Sequence, residues 1–308
     1  MNTRKFLIFF FKLALTIVVL YFLGRQVFTR WESVESYNWQ LDYWPLLLSI
    51  GFALVAFFVF SSCWRAIIAS FGPRVSYPMS FKISYLSNLG RYIPGKIWQV
   101  FGILYLAKKE GVKPEQAAAS FVLIQLFAIP SSFLVYVLAG QFEQGILIDQ
   151  LALAGRGIAY VLAATLVAVC ALVVFYPHPF IRVANLVLRK LGRPATTFVL
   201  DKRVALLIFL GYFFGWICYG LAYWLFLVAV LGNQGPNPIA AVGLFNGAYQ
   251  VGYLMLFAPG GFGPRELVMG MLLTPFVGQI GAALAIAARL WAILIETIAA
   301  VIALAIKK

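Results

Sequence analysis

Charged residues make up only 11% of this 308-residue chain, and acids are the scarcer sign, with 10 Asp and Glu against 24 Lys and Arg. Soluble domains carry about 25% charge, so a water-exposed fold is excluded. Histidine is nearly missing. His178 stands between Pro177 and Pro179 in a basic stretch without a neighbouring acid or thiol, and it reads as interfacial. Cys63, Cys170 and Cys218 lie in apolar runs without metal-ligand spacing, which makes them core residues and leaves no disulfide or redox role. HExxH, GxSxG and phosphate-cradling loops are absent, so no enzyme, no cofactor and no metal is expected. Apolar runs continue to Ala305, which leaves no tract for a soluble catalytic domain. For the same reason the net charge of +14 is not read as nucleic-acid binding.

What the chain has instead is apolar residues, at 63% with a mean hydropathy of +0.93. An all-α, polytopic integral membrane protein follows, a single transmembrane domain over residues 1–308. Phe6 to Leu23 is long enough to span. Arg4 and Lys5 precede it without a cleavage site after it, so it is expected to be an anchor. Further spans are expected over Pro45 to Cys63, Glu115 to Ala139, Gly157 to Tyr176, Val204 to Leu231 and Gly281 to Ala305. Pro177 to Arg203 has the basic, amphipathic pattern of a surface-lying helix. Placing the N-terminus in the cytoplasm puts Arg4, Lys5, Lys12, the Arg65 to Lys113 segment, the Arg182 to Arg203 segment and the C-terminal lysines on one side. That asymmetry argues for both termini in the cytoplasm of an inner-membrane protein, with six to eight crossings.

Two stretches interrupt the pattern. Around Asn88 to Gln99 (NLGRYIPGKIWQ) the limbs Met79 to Leu89 and Lys96 to Ala107 would each cover about 18 Å as helices, against a hydrocarbon core of about 30 Å. Pro94 biases Ile93 away from the helix, and Gly90 and Gly95 ease the turn. The expectation is a re-entrant hairpin with Arg91 and Lys96 near its tip; the competing reading is an amphipathic hairpin lying flat at the interface. The second break is APGGFGPRE, where Pro259, Gly260, Gly261 and Gly263 allow a tight excursion and Pro264 suits the first turn of a new helix. Its limbs are Ile239 to Phe257, long enough to leave full crossing open, and Glu266 to Phe276. Span, hairpin, span occurs twice with opposite starting sides, the order of an inverted repeat whose broken helices meet at a midplane site.

The intramembrane charges are then Arg91, Lys96, Arg265 and Arg289 against Glu266 and Glu296. Arg289 and Glu296 share a helix face but stand about 10 Å apart, too far to pair directly. Their partners must come from elsewhere, and the hairpins are the nearest source. Pairing every acid leaves two cations over, which an anionic guest would balance; snorkelling and purely structural pairs are the alternative. Asn88, Gln99, Asn246, Tyr249, Gln250 and Tyr253 are polar neighbours on the same elements, with interhelical bonding as their commoner use.

The motifs N-x-x-R-x-x-P-G-K, from Asn88 to Lys96, and P-G-G-F-G-P-R-E, from Pro259 to Glu266, resemble the lysylphosphatidylglycerol synthase transmembrane family, also called the flippase-like domain family. The resemblance implies a domain that moves a lipid between leaflets and carries over Asn88, Arg91, Pro94, Gly95, Gly260, Gly261, Gly263, Arg265 and Glu266. Lys96, Gln99, Arg289 and Glu296 join the substrate-binding set from the residue reading. Without a synthase segment, aminoacyl transfer is not expected. The expected function is translocation of an anionic phospholipid or lipid-linked headgroup, with Glu266 and Glu296 neutralising the tip cations in the empty state. The alternative is an accessory subunit for a lipid-modifying or glycosyltransferase partner, its basic surface binding anionic lipid.

Overall fold

The computed structural model describes residues 32, 35, 37, 39–92, 97–142, 164–172, 176, 182, 185–186, 189, 200–255 and 258–307. The expected anchor, the tip residues Pro94, Gly95 and Lys96, half of the Gly157 to Tyr176 span and most of the basic stretch after it lie outside the described residues.

Eight α-helices and no strand occur among the described residues. Asp42 caps the first, its carboxylate accepting from the Trp44 N–H, and α1 runs unbroken over Tyr43–Ala69. Ser76 caps α2 (Tyr77–Asn88), which runs into a 3-10 turn, Leu89–Tyr92. Next come α3 (Ile97–Lys108) and α4 (Pro114–Phe142). The second half has α5 (Lys202–Leu231), capped by Asp201, and α6 (Pro238–Leu254), capped by Asn237. A 3-10 turn, Pro259–Gly261, leads to α7 (Pro264–Val277), and α8 spans Gly281–Ala305. Among the described residues four stretches are long and apolar enough to cross a membrane: Tyr43–Ala69, Pro114–Gly140, Lys202–Gln234 and Pro264–Ala305. The protein is an integral membrane protein.

Helices α1 and α5 form the axis of the bundle and run antiparallel along their whole length. The Asp42 N–H donates to the Ala229 carbonyl (2.9 Å) at one end, and the Ser49 hydroxyl donates to the Ala222 carbonyl (2.6 Å) further in. Toward the other end the Cys63 thiol approaches the Ile208 carbonyl. Both hairpins close antiparallel. In the first, a Cβ on Gly90 would stand 2.6 Å from the Gln99 nitrogen, and the Gln99 amide donates to Asn88 Oδ1 (3.1 Å). In the second, a Cβ on Gly252 would stand 2.5 Å from the Arg265 Cβ. Both limbs meet only because one side lacks a side chain.

The packing has an internal exchange symmetry. Swapping α1 with α5, α2 with α6, α3 with α7 and α4 with α8 turns every helix contact into another one. Thus α1 on α2 becomes α5 on α6, and α3 on α4 becomes α7 on α8. Likewise α2 on α8 becomes α6 on α4, while α1 on α5 maps onto itself. With α1 and α5 antiparallel, this is the arrangement of an inverted repeat. The hairpins follow opposite ends of the axis, and their tips touch: the Tyr92 ring lies 6.4 Å from that of Phe262. The two hairpins thus enter from opposite ends of the bundle and meet tip to tip. Helix α6, with 17 residues, stops at Leu254 and not at the expected Phe257.

Candidate functional site

Where the tips meet, two ion pairs tie them to α8. Arg91, on the first tip, pairs through Nη2 with Glu296 Oε1, and its Nη1 donates to the Tyr249 hydroxyl (3.0 Å). The Tyr92 hydroxyl donates to the second Glu296 oxygen (2.6 Å), so both oxygens of that carboxylate are held from one turn. At the second tip the acid comes from the hairpin and the base from α8. Glu266 Oε2 accepts from the Gly263 N–H (2.6 Å), closing the first turn of α7, and its Oε1 lies 3.6 Å from Arg289 Nε. Arg289 Nη2 donates to the Gly260 carbonyl (2.9 Å), and its guanidinium lies 4.0 Å from the centre of the Phe262 ring. Gly260, Gly261 and Gly263 all have positive φ (57°, 75° and 92°), the backbone that presents the Gly260 carbonyl to Arg289 and the Gly263 N–H to Glu266. Arg289 and Glu296 sit on one face of α8, two turns apart, each served by a different hairpin.

Arg265 is left over. It is 5% exposed, and no carboxylate and no hydrogen-bond acceptor among the described residues pairs with it. Its guanidinium lies over two rings, 4.7 Å from the centre of Tyr249 and 5.2 Å from that of Phe245. Of the two acids expected to neutralise the tip cations, Glu296 pairs with Arg91, whereas Glu266 pairs with Arg289 of α8 instead. Successive helical residues point about 100° apart, so Glu266 faces α8 while Arg265 faces α6.

Two adjoining cavities open at this junction. The larger, of about 290 Å³, is lined by Arg91, Arg265, Gln99, Gln125, Tyr249 and Tyr253 among others, and among the described residues no carboxylate contributes to its wall. The smaller, of about 140 Å³, shares Arg91, Gln99, Gln125, Tyr249 and Tyr253 and adds Asn88, Glu296 and a wall of aromatic rings that includes Phe57, Tyr85, Trp216 and Tyr219.

Of the residues singled out from sequence, Asn88, Arg91, Gln99, Arg265 and Glu296 line these cavities, whereas Glu266 and Arg289 lie behind them and fasten the second hairpin. Asn246 is structural, accepting from the Ser132 hydroxyl (2.8 Å) and donating to the Val242 carbonyl (2.9 Å). Pro94, Gly95 and Lys96 lie outside the described residues. Gln125 and Tyr92 escaped the sequence reading. Gln125 is a polar residue inside an apolar span, and Tyr92 adjoins Arg91; both signals were present.

Among the described residues no group of His, Cys, Asp and Glu could hold a metal ion. The chain matches none of the curated proteins compared with it. The sequence pattern described as the lysylphosphatidylglycerol synthase TM region matches residues 9–303, and over that nearly complete span the chain belongs to the lysylphosphatidylglycerol synthase transmembrane family.

Proposed function

We propose that this protein moves an anionic phospholipid or lipid-linked headgroup between the leaflets of the cytoplasmic membrane. The observation that carries the reading is the junction of the two tips, where a cavity holds two guanidiniums and, among the described residues, no carboxylate on its wall. Arg265, without a counter-charge, and Arg91, shared with Glu296, would bracket a phosphate from either side of Tyr249, whose ring lies under one and whose hydroxyl accepts from the other. Burying a lone cation is costly, and a headgroup anion offsets that cost while its acyl chains stay in lipid. The aromatic side cavity gives the non-phosphate part of a headgroup room to lie.

Hairpins inserted from opposite ends supply the alternation. Drawing back one tip would open the junction to one face while the other tip keeps it closed to the opposite face. The positive-inside bias of the loops supports both termini in the cytoplasm, and in that orientation α2 and α3 would enter from the cytoplasmic side and α6 and α7 from the outer side. The test is leaflet exchange of fluorescent phosphatidylglycerol in liposomes containing the purified protein. Exchange well above that of protein-free liposomes is the expected result. No acceleration by folded protein contradicts translocation and favours an accessory role beside a lipid-modifying enzyme.

A further inference from the structure

We infer that Arg265 is the floor of a small-anion site, which a single monovalent anion such as chloride occupies when no headgroup is bound. The inference concerns a free inorganic ion and goes beyond the transport reading; it holds whether or not the protein moves lipid.

Three observations lead to it. The first is charge. Three guanidiniums and two carboxylates meet at the tips, and each carboxylate is engaged by another arginine: Glu296 by Arg91 and Glu266 by Arg289. Among the described residues one positive charge remains, and it resides on Arg265. The second is access. Arg265 is buried to 5% exposure, yet it lines the larger cavity, whose wall contains a second cation, Arg91, and no acid among the described residues. The potential there is positive, and the cavity of about 290 Å³ is far larger than a halide with several waters requires. The third is unmet hydrogen bonding. No described acceptor takes the Arg265 N–H groups, because its two nearest partners are ring faces, Tyr249 and Phe245. In the same ring cluster the hydroxyls of Tyr219 and Tyr223 are buried without a partner.

Ring faces attract a guanidinium but do not cancel its charge. A buried charge is retained when it is paired, and the Arg265 guanidinium N–H groups that remain in this cavity suit an anion. A singly charged ion balances the described charges of the site, whereas a dianion would leave them net negative. A halide and the phosphodiester of a lipid share this chemistry, a single negative charge accepting hydrogen bonds, and they would compete for Arg265.

The experiment uses the full-length protein in detergent, with potassium gluconate replaced stepwise by chloride at constant ionic strength. Wild-type protein is expected to unfold about 2–4 °C higher once chloride is in several-fold excess over its Kd, the shift growing with the logarithm of one plus the ratio of chloride concentration to Kd. Arg265→Gln should lose the dependence, Arg265→Lys should keep it at weaker affinity, and Arg65→Gln, at a cation stacked on Tyr77 away from the site, should retain it in full. Chloride-35 line broadening by wild-type protein, reversed by bromide, gives a readout that needs no variant. An equal shift in all four proteins, or no broadening that bromide reverses, would overturn the site. Short-chain phosphatidylglycerol forms the second arm. Its displacement of chloride supports one shared site, while chloride binding that survives saturating lipid leaves the anion site standing and contradicts only the headgroup reading.

Discussion

The two hairpins occupy equivalent places in the fold yet are fastened with opposite polarity. The first reaches α8 with a base, Arg91, and adds the Tyr92 hydroxyl to the same carboxylate. The second reaches α8 with an acid, Glu266, and adds the Gly260 carbonyl to the same guanidinium. The consequence lies in what remains. The first hairpin spends its described cation on α8, whereas the second uses its acid there and leaves Arg265 free to face the cavity. Symmetry of the backbone thus places the tips, and its violation in the side chains creates the surplus charge.

The difference can be broken from either side. Glu296→Gln removes the close charge partner of buried Arg91, leaving it the Tyr249 hydroxyl, and disturbs the acceptor of the Tyr92 hydroxyl as well, and is expected to cost about 3–5 kcal/mol of unfolding free energy in detergent. Glu266→Gln is expected to cost less, about 1–3 kcal/mol, since Arg289 keeps its bond to Gly260 and its place on Phe262. Equal losses would contradict the asymmetry. The reversal Arg91→Glu with Glu296→Arg should recover a large part of what either single change loses, a coupling that a double-mutant cycle reads directly.

Smaller changes sharpen the same contrast. Gly252→Ala would bring a methyl group against the Arg265 Cβ and should destabilise by about 1–3 kcal/mol, tilting the one arginine that faces the cavity unpaired. Chemical denaturation together with the anionic-lipid exchange rate checks it, with both expected to fall. Tyr92→Phe, which removes one of the two bonds to Glu296, should cost about 1.5 kcal/mol and spare the second hairpin. The smallest effect is expected at Trp98, on the outward face of α3 and 48% exposed, where Ala should change stability by at most about 0.5 kcal/mol.

Much of this architecture was legible in the sequence because it is written in local chemistry. Pro259, Pro264 and the glycines between them mark a break that no helix tolerates, and the 12-residue limbs around Arg91 are too short to span. The seven-residue spacing of Arg289 and Glu296 sufficed to send their partners to the hairpins. Which hairpin serves which residue was not legible. It depends on the rotation of α7, set by the packing of Gly252 against Arg265, and that packing joins residues on different helices. Gln125 was overlooked for a related reason: a polar residue in an apolar span acquires meaning only when a cavity opens beside it.

The central claim is that the unpaired charge of Arg265 at the tip junction selects an anionic headgroup. The most direct measurement is the ratio of phosphatidylglycerol to phosphatidylcholine exchange rates in the same liposomes, for wild-type protein and Arg265→Gln. The account predicts a ratio well above one for wild type, falling at least tenfold in the variant, a loss of about 1.4 kcal/mol of discrimination. A ratio that is unchanged by the substitution, in variant protein shown to be folded, would contradict it.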